Sequence, residues 1–247
     1  MKKTILLSGI LATGVALADA TVESGNAAGA LDLTINNSAE QVLVSVPFPG
    51  GPDNSPVLVK DVVKTGNLAD GSKIYAPTGN GGYNTWTLND NVWVADKTVT
   101  IGADGKPLEG ESTSQEEATL LRGDAFWIQP IFKDSAASGK IVLFGEGEAT
   151  PGTSAFSAGW NLLGNASTAE VSLKDLTSGE LDQIIVQIDG KLRYYTYKSA
   201  KGGWRYQNGT KWSDPATDPL KIVPGQGFWY KSTAGGKSID WADGTAK

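Results

Sequence analysis

Short segments in which apolar and polar residues alternate dominate this chain, and glycine, asparagine, aspartate and proline separate them. Residues 31–35 and 42–46 alternate with a period of two, as strands with one buried face do. The clearest hairpin joins residues 184–188 to residues 192–197, because the Asp-Gly pair between them favours the positive backbone angles of a tight turn. Residues 73–75 fill a similar role more weakly in the first half. These patterns predict an all-β protein.

Two further hairpins are predicted, one near the end of each half. Residues 126–132 are predicted to pair with residues 140–144, and residues 228–231 with residues 238–241. Small residues lie between the members of each pair, and glycine suits such turns because it has no Cβ.

Helix is scarce in the pattern. Residues 56–63 and residues 172–176 each predict a helix of one or two turns, with Ser55 and Ser172 as candidate N-caps. The sequence therefore predicts one short helix in each half.

The order of motifs along the chain occurs twice, which a tandem duplication explains best. Each copy has an apolar segment with a Lys-Asp pair, then a glycine pair, two tryptophans and a Phe-Trp pair. These are residues 57–62, Gly81-Gly82, Trp86, Trp93 and Phe126-Trp127 in the first copy, and residues 171–176, Gly202-Gly203, Trp204, Trp212 and Phe228-Trp229 in the second. Taken in order, the motifs align Trp86 with Trp204 and Trp93 with Trp212.

The duplication predicts one β module at residues 19–146, a linker at residues 147–158 and a second β module at residues 159–247. The modules are either two small sandwiches or barrels, or the halves of one pseudo-symmetric β structure. The first copy is longer because of polar residues near positions 97–117. We interpret these residues as a surface excursion that forms a small hairpin of its own.

The beginning of the chain has the pattern of an export signal. Lys2 and Lys3 precede an apolar run at residues 5–17, and an Ala-x-Ala cleavage pattern follows, which predicts a signal peptide at residues 1–18. No later segment approaches the roughly 20 apolar residues of a membrane-spanning helix. The predicted address is the periplasm, the outer surface or the medium.

Composition excludes several classes of chemistry. The chain has no cysteine and no histidine, which rules out disulfides, thiol nucleophiles, Ser-His-Asp triads and zinc sites with these ligands. Removal of the two lysines with residues 1–18 changes the net charge from −6 to −8. Binding to nucleic acid is not expected, because clustered lysine and arginine are absent. No cofactor and no metal site is predicted.

One motif pair resembles a known pattern. Gly159-Trp160-Asn161-Leu162-Leu163-Gly164 and the later Pro224-Gly225-Gln226-Gly227-Phe228-Trp229-Tyr230 resemble the "GWNL…PGQGFW" β-repeat of bacterial exported and cell-surface proteins. The first copy is degenerate, with residues 41–47 and Arg122-Gly123-Asp124 in the corresponding places. The resemblance implies a secreted β module and assigns no catalytic residues.

Aromatic residues are the strongest candidates for ligand binding, because flat aromatic rings stack on sugars and anchor protein interfaces. The Phe-Trp pairs recur in both copies and are therefore interpreted as scaffold. Tyr194 and Tyr195 are adjacent on a predicted strand and must face opposite sides. The candidate ligand-binding residues are Trp204, Trp212, Trp86 and Tyr83, in the region where the copies diverge.

Carboxylates are plentiful but scattered. A pair of them could act as the acid and base of a glycosidase, and the candidates are Asp124, Asp175, Glu180, Asp182, Asp214 and Asp218. Asp175 recurs as Asp61 at the corresponding place, which favours a structural role.

The sequence favours an exported, non-catalytic binding or surface-structural protein, whose partner is a glycan or a cell-surface protein contacted by loop aromatics. Two alternatives stay open. One is a hydrolase that acts on polysaccharide with paired carboxylates, and the other is a subunit of a surface layer or fibre, for which an unpaired edge strand would be the sign.

Overall fold

The computed structural model is built mainly from antiparallel strands, which confirms the all-β prediction. It describes residues 22–23, 26–36, 38, 40–48, 55–77, 82–96, 99–101, 107–109, 119–146, 151–176, 178–188, 191–208, 211–212, 221–234, 237–242 and 245–246. The predicted signal peptide at residues 1–18 lies outside these residues.

Among the described residues, the first half of the chain has thirteen strands and one short helix. They are β1 Val22–Glu23, β2 Asn26–Ile35, β3 Val42–Ser45, β4 Val57–Leu58, α1 Val59–Val62, β5 Val63–Lys64, β6 Lys73–Pro77, β7 Tyr83–Asn89, β8 Val92–Ala95, β9 Val99–Ile101, β10 Pro107–Glu109, β11 Thr119–Leu120, β12 Ala125–Gln129 and β13 Gly139–Glu146.

Eleven strands follow in the part of the second half that the structure describes. They are β14 Thr153–Phe156, β15 Gly159–Gly164, β16 Val171–Ser172, β17 Gln183–Ile188, β18 Lys191–Lys198, β19 Gly203–Asn208, β20 Lys211–Trp212, β21 Lys221–Ile222, β22 Gly227–Ser232, β23 Lys237–Asp240 and β24 Thr245–Ala246. The 3-10 turns Lys133–Ser135, Leu173–Asp175 and Ser199–Lys201 complete the helical elements.

The two halves repeat one topology. The main sheet has the strand order β3-β12-β6-β7-β8 in the first half and β15-β22-β17-β18-β19-β20 in the second. A smaller sheet contains β2 and β13 in the first half, and β14 and β23 in the second. A two-stranded ladder also corresponds, β11 with β4 and β21 with β16. The strand order of these sheets is therefore the same in both halves.

Each half has its own hydrophobic core. In the first half, Phe126, Ile74 and Leu143 are among residues that are fully buried in one cluster. In the second half, Phe228, Ile184 and Ile239 belong to a separate cluster. Side chains from the main sheet and the smaller sheet contribute to each core, as in a two-layer β structure.

Both predicted closing hairpins are wrong. The strand β12 pairs with β3 and β6, whereas β13 pairs with β2 and β5 in the other sheet. In the same way β22 pairs with β15 and β17, and β23 pairs with β14 and β24. The chain crosses from one layer to the other after the Phe-Trp strand, because its next strand completes the sheet that covers the opposite side of the core.

Three other predicted hairpins are confirmed. The hairpin of β17 and β18 is confirmed, as is its counterpart of β6 and β7. The insertion near residues 97–117 does form a small hairpin, with β9 paired to β10. Part of the predicted linker at residues 147–158 is a strand, since β14 pairs with β23 and so belongs to the second half.

The short helical segments lie where they were predicted, as α1 and the 3-10 turn Leu173–Asp175. Neither has a capping side chain: the residue before α1 is Leu58, and Ser172 makes no cap hydrogen bond. The predicted capping by Ser55 and Ser172 is therefore wrong. Backbone bonds and burial of Val59 and Val62 hold the helical turn instead.

The halves meet at a junction with matching contacts on both sides. The Ser45 amide donates to the Gly225 carbonyl at 2.8 Å, and the Gly164 amide donates to the Gly123 carbonyl at 2.8 Å. Strand register equates Ser45 with Gly164, because each is opposite the second residue before the tryptophan of the Phe-Trp pair. The junction therefore resembles an isologous interface, because equivalent positions of the two halves make the same kind of hydrogen bond to each other.

Close approach at the junction depends on small residues. A Cβ added to Gly164 would lie 1.8 Å from the Ser45 Cβ, and one added to Gly227 would lie 3.0 Å from the Ala125 Cβ. Gly123 and Gly225 have φ of +86° and +74°, the left-handed region that favours glycine. The two halves thus pack closely against each other at this junction, while each keeps a hydrophobic core of its own.

Candidate functional site

Two of the four predicted ligand-binding residues are buried. Trp86 is 1% exposed in the first core and Trp204 is 2% exposed in the second. Neither indole can present a face to a ligand in this fold, so the prediction is corrected for these two residues. The physical reason is that each alternates onto the core face of its strand.

The structure also corrects which tryptophans correspond. Trp93 is opposite Leu88 in the β7–β8 pair, and Trp204 is opposite Tyr197 in the β18–β19 pair, which are equivalent positions. Both indoles bond the carbonyl that follows the short helical segment: Trp93 Nε1 donates to the Val63 carbonyl at 3.1 Å, and Trp204 Nε1 to the Leu176 carbonyl at 2.7 Å. Trp204 therefore corresponds to Trp93, and both belong to the scaffold.

The other two predicted residues reach the surface. Tyr83, at the start of β7, is 43% exposed. Trp212 is half-buried on β20, where the Lys201 ammonium lies 5.9 Å from its ring centroid. Tyr83 belongs to the first half and Trp212 to the outermost strand of the second-half sheet, so no single group of residues contains both. Their role in binding stays a prediction.

The outer face of the second-half main sheet carries a row of apolar side chains. Leu162, Trp229, Ile185 and Tyr194 are directly opposite one another on β15, β22, β17 and β18. Tyr194 is 55% exposed, and the other three are half-buried. At about 4.8 Å between strands, the row is about 14 Å long. We call these four residues the aromatic row.

A second row lies beside it on the same face. Its members are opposite one another across five strands, namely Trp160, Lys231, Gln183, Thr196 and Arg205 on β15, β22, β17, β18 and β19. Trp160 is 46% exposed. We call these five residues the polar row.

Trp160 connects the two rows. Its ring makes an edge contact with Trp229, with centroids 6.4 Å apart and planes at 87°. The Lys231 ammonium lies 5.5 Å from the Trp160 centroid, a cation–π contact. Two tryptophans, a tyrosine and a positive charge thus share one face of the sheet.

The Phe-Trp pairs, interpreted from the sequence as scaffold, divide between two roles. Phe126 and Phe228 are fully buried in the cores, as scaffold residues should be. Trp127 and Trp229 lie on the opposite face of the same strands and are half-buried. The strand period of two contained this information, since adjacent residues point to opposite faces. Tyr194 and Tyr195 show the same division, because Tyr195 is 2% exposed and in the core.

Asp182 is a structural carboxylate. Although the residue is only 3% exposed, it accepts five hydrogen bonds. Ser178 Oγ, the Gly179 amide and Tyr230 OH donate to its Oδ2 at 2.8, 3.0 and 2.7 Å, and the Thr233 amide and Oγ1 donate to its Oδ1 at 2.7 and 2.8 Å. Burial alone would raise the pKa of Asp182, but the bonds from Thr233, Tyr230 and Ser178 together lower it. Burial raises the pKa of Tyr230, and its bond to Asp182 adds to that shift.

Asp124 has a different environment at the junction. Burial raises its pKa, and the bond that its Oδ2 accepts from the Leu121 amide at 2.8 Å opposes the shift. Gln226 is the equivalent residue, and its Oε1 accepts from the Val223 amide at 3.2 Å. A glutamine that makes the same bond shows that the role of Asp124 is to close a turn.

Two of the candidate carboxylates, Asp124 and Asp182, lie too far apart to form a glycosidase pair. Asp124 bridges to Leu163, which is opposite Phe228, whereas Asp182 bonds Thr233, five positions further along the same segment. At about 3.3 Å per residue these two places are about 16 Å apart, beyond the 5–10 Å of paired glycosidase carboxylates. Glu180 accepts two bonds from Ser199, and Asp175 is the last residue of a 3-10 turn. Asp214 and Asp218 lie outside the described residues.

The described residues contain no group of three or more acidic side chains that could hold a metal ion. None of the helices within the same ranges is long and apolar enough to cross a bilayer.

Comparison of the chain with family models, with curated proteins and with solved structures gives no match. The resemblance to the bacterial "GWNL…PGQGFW" repeat therefore stays a prediction from its motifs.

Proposed function

We propose that this protein is an exported, non-catalytic carbohydrate-binding protein, and that the outer face of the second-half main sheet is its binding surface. The observation that carries the proposal is the aromatic row with Trp160 beside it. Three large aromatic side chains and two aliphatic ones lie side by side on one sheet face, and Tyr194 and Trp160 are about half exposed.

The chemistry of such a face suits sugars. The faces of a sugar ring carry C–H groups that pack on an aromatic ring, while hydroxyls at the rim bond to polar neighbours. Gln183 and Thr196 of the polar row supply donors and acceptors next to the aromatic row. A rigid sheet positions these groups with little loss of conformational entropy on binding.

The export prediction adds support of a different kind. A signal-like segment at residues 1–18 would bring the protein into contact with envelope and extracellular polysaccharides. Asp124, Glu180 and Asp182 accept hydrogen bonds within the fold, which favours binding over hydrolysis.

The test is a titration of the protein with soluble polysaccharides of different backbones, in which tryptophan fluorescence and calorimetry measure binding. Trp160→Ala and Tyr194→Ala should each weaken binding about 10-fold or more, as loss of a central aromatic contact does. Val92→Ala, which removes an exposed apolar side chain from the first half, is the control and should have no effect. An effect of Tyr83→Ala alone would move the site to the first half, and absence of binding to any glycan would refute the proposal.

A surface-assembly role is the second hypothesis. In the described residues β8 pairs only with β7, and Val92 and Val94 on it are 61% and 45% exposed. Edge strands of this kind pair with other chains unless they are protected. Sedimentation velocity on the same samples would detect ordered oligomers, which the carbohydrate-binding proposal does not require.

A further inference from the structure

We infer that the ligand of this face is an acidic polysaccharide, whose sugar rings stack on the aromatic row while its anionic groups contact Lys231 in the polar row. The inference rests on the proposed function and adds the chemical class of the glycan. Carboxylate and sulfate substituents share the required chemistry, since both present anionic oxygens at the rim of a sugar ring.

The spacing of the two rows fits such a ligand. Trp229 and Lys231 are two positions apart on β22, so their side chains leave the same face about 7 Å apart. A ring stacked on Trp229 would thus have its substituents within reach of the Lys231 ammonium. The rows run in parallel across the strands, which allows successive sugars to repeat the arrangement.

Lys231 is held in place for this role. The cation–π contact with Trp160 keeps its ammonium over an aromatic ring, at 5.5 Å from the centroid. Among the described residues no carboxylate lies within salt-bridge distance of Lys231, whereas Lys140 and Lys221 pair with Asp32 and Glu170. A positive charge that is ordered by a ring and not neutralised by an acid is suited to an external anion.

The first half lacks this chemistry at the equivalent positions. Gln129 is opposite Lys73 as Lys231 is opposite Gln183, and Val94 is opposite Thr87 as Arg205 is opposite Thr196. The single lysine of the first-half row is accompanied by Asp96, which accepts a bond from Thr87 at 2.8 Å. In a chain of net charge −6, the second-half polar row thus carries two basic residues, Lys231 and Arg205, where the equivalent first-half row carries one.

The test compares glycans of different charge on the full chain. Polygalacturonate, dextran sulfate, and neutral dextran and β-glucan are titrated at about 50 mM and about 500 mM NaCl, because salt screens charge contacts at this range. We expect both acidic polymers to bind at least about 10-fold more tightly than the neutral ones, and their affinity to fall with salt. A difference between the first two would tell carboxylate from sulfate.

Two variants replace a residue of the second half by the residue at the equivalent position of the first half. Lys231→Gln introduces the residue found at the equivalent position of the first half. This variant should weaken the binding of acidic glycans about 5- to 10-fold and remove most of the salt dependence of that binding. The affinity for neutral glycans should change far less. Trp160→Gln introduces the equivalent of Gln41 and should weaken all glycans. Lys60→Gln, on the exposed side of α1, is the charge-matched control and should bind as the unmodified chain does.

The outcomes separate the two proposals. If neutral glycans bind as tightly as acidic ones, or if Lys231→Gln changes nothing, the acidic ligand is refuted and the carbohydrate-binding face survives. If no glycan binds, both fail. If sedimentation shows a dimer that Trp160→Gln dissociates, the face is occupied by a second copy of the chain, and both proposals are overturned.

Discussion

The two halves of this molecule share a strand order but differ in what they do with the outer face of the main sheet. In the first half the row equivalent to the aromatic row is Leu43, Trp127, Tyr75 and Thr85, and Leu43 is buried. In the second half Tyr194 replaces Thr85 and is exposed, and Trp160 adjoins the row. The cores are alike in kind, so the difference between the halves lies on the surface.

Residues that are equivalent in the two halves and hold the fold lie on the inner face of the main sheets, whereas the residues proposed to bind a ligand lie on the outer face. Phe126 and Phe228, and the hydrogen-bonded Trp93 and Trp204, are equivalent pairs and hold the fold. Residues that differ between equivalent outward positions, above all Trp160 and Lys231, are those that a selective ligand would contact. The repeat is therefore informative only after the register of the strands is known.

The largest effect is expected where the halves touch. Gly164→Leu would place a side chain where even a Cβ lies 1.8 Å from the Ser45 Cβ, with the Ser45 Cα at 3.3 Å. Because backbone would have to move, we expect the free energy of unfolding to fall by about 3 kcal/mol or more, or the halves to separate. Urea unfolding followed by tryptophan fluorescence measures the first, and small-angle scattering the second.

Two control substitutions show whether the effect of Gly164→Leu comes from close packing at the junction. Ser45→Gly removes the partner side chain from the same contact and should cost less than about 1 kcal/mol. Gly66→Ala, whose Cβ would enter open space, should be close to neutral. Equal unfolding curves for Gly164→Leu and Gly66→Ala would show that the junction is not closely packed.

A smaller effect is expected at Asp182, where the first half has Ser72. Ser72 Oγ accepts from the Ile131 amide at 2.9 Å, as Asp182 accepts from Thr233, but without a charge. Asp182→Asn should destabilise the protein by about 2–3 kcal/mol near neutral pH, because hydrogen bonds to a buried carboxylate are lost.

The sign of the pH dependence follows from the lowered pKa of Asp182. Its contribution is present above the unfolded pKa of about 3.9 and is lost as the pH falls through the folded pKa. The stability difference between the unmodified chain and Asp182→Asn should therefore shrink below about pH 4. Denaturant unfolding from pH 7 to pH 2 measures this difference, and a gap that stays constant over that range would contradict the ionised network.

The smallest loss of stability is expected for substitutions of the buried tryptophans, and its size should distinguish the equivalent pair Trp93 and Trp204 from Trp86. Trp93→Phe and Trp204→Phe each leave a buried carbonyl without its indole donor and should each cost about 1–2 kcal/mol. Trp86→Phe should cost less, because the Trp86 Nε1 is buried without a hydrogen-bond partner. Thermal unfolding of the three variants checks the order, and a larger loss for Trp86→Phe than for Trp204→Phe would favour the alignment that the sequence alone gave.

Much of the fold could be predicted because it depends on local patterns. The β17–β18 hairpin, the insertion hairpin and the positions of the helical turns all follow from residues within one short segment. The closing hairpins could not be predicted, because β13 pairs with β2 about 100 residues earlier, and no local pattern distinguishes that partner from the adjacent strand.

The candidate site was harder to predict for a related reason. The strand period shows that Trp229 and Tyr194 leave a different face from Phe228 and Tyr195, but not which face is covered. The sequence favours Trp86 and Trp204 as binding residues because they lie in the region where the copies diverge. Their burial depends on strands that lie far away in sequence.

The sequence by itself determined the all-β class and the alternation that divides each strand into two faces, because these properties depend on neighbouring residues. The tertiary structure alone decided that Trp93 corresponds to Trp204, that Ser45 meets Gly164 at a pseudo-symmetric junction, and that Trp160, Trp229 and Tyr194 share one surface. The physical reason is that burial and contact result from the packing of whole sheets, which brings together side chains that the sequence keeps tens of residues apart.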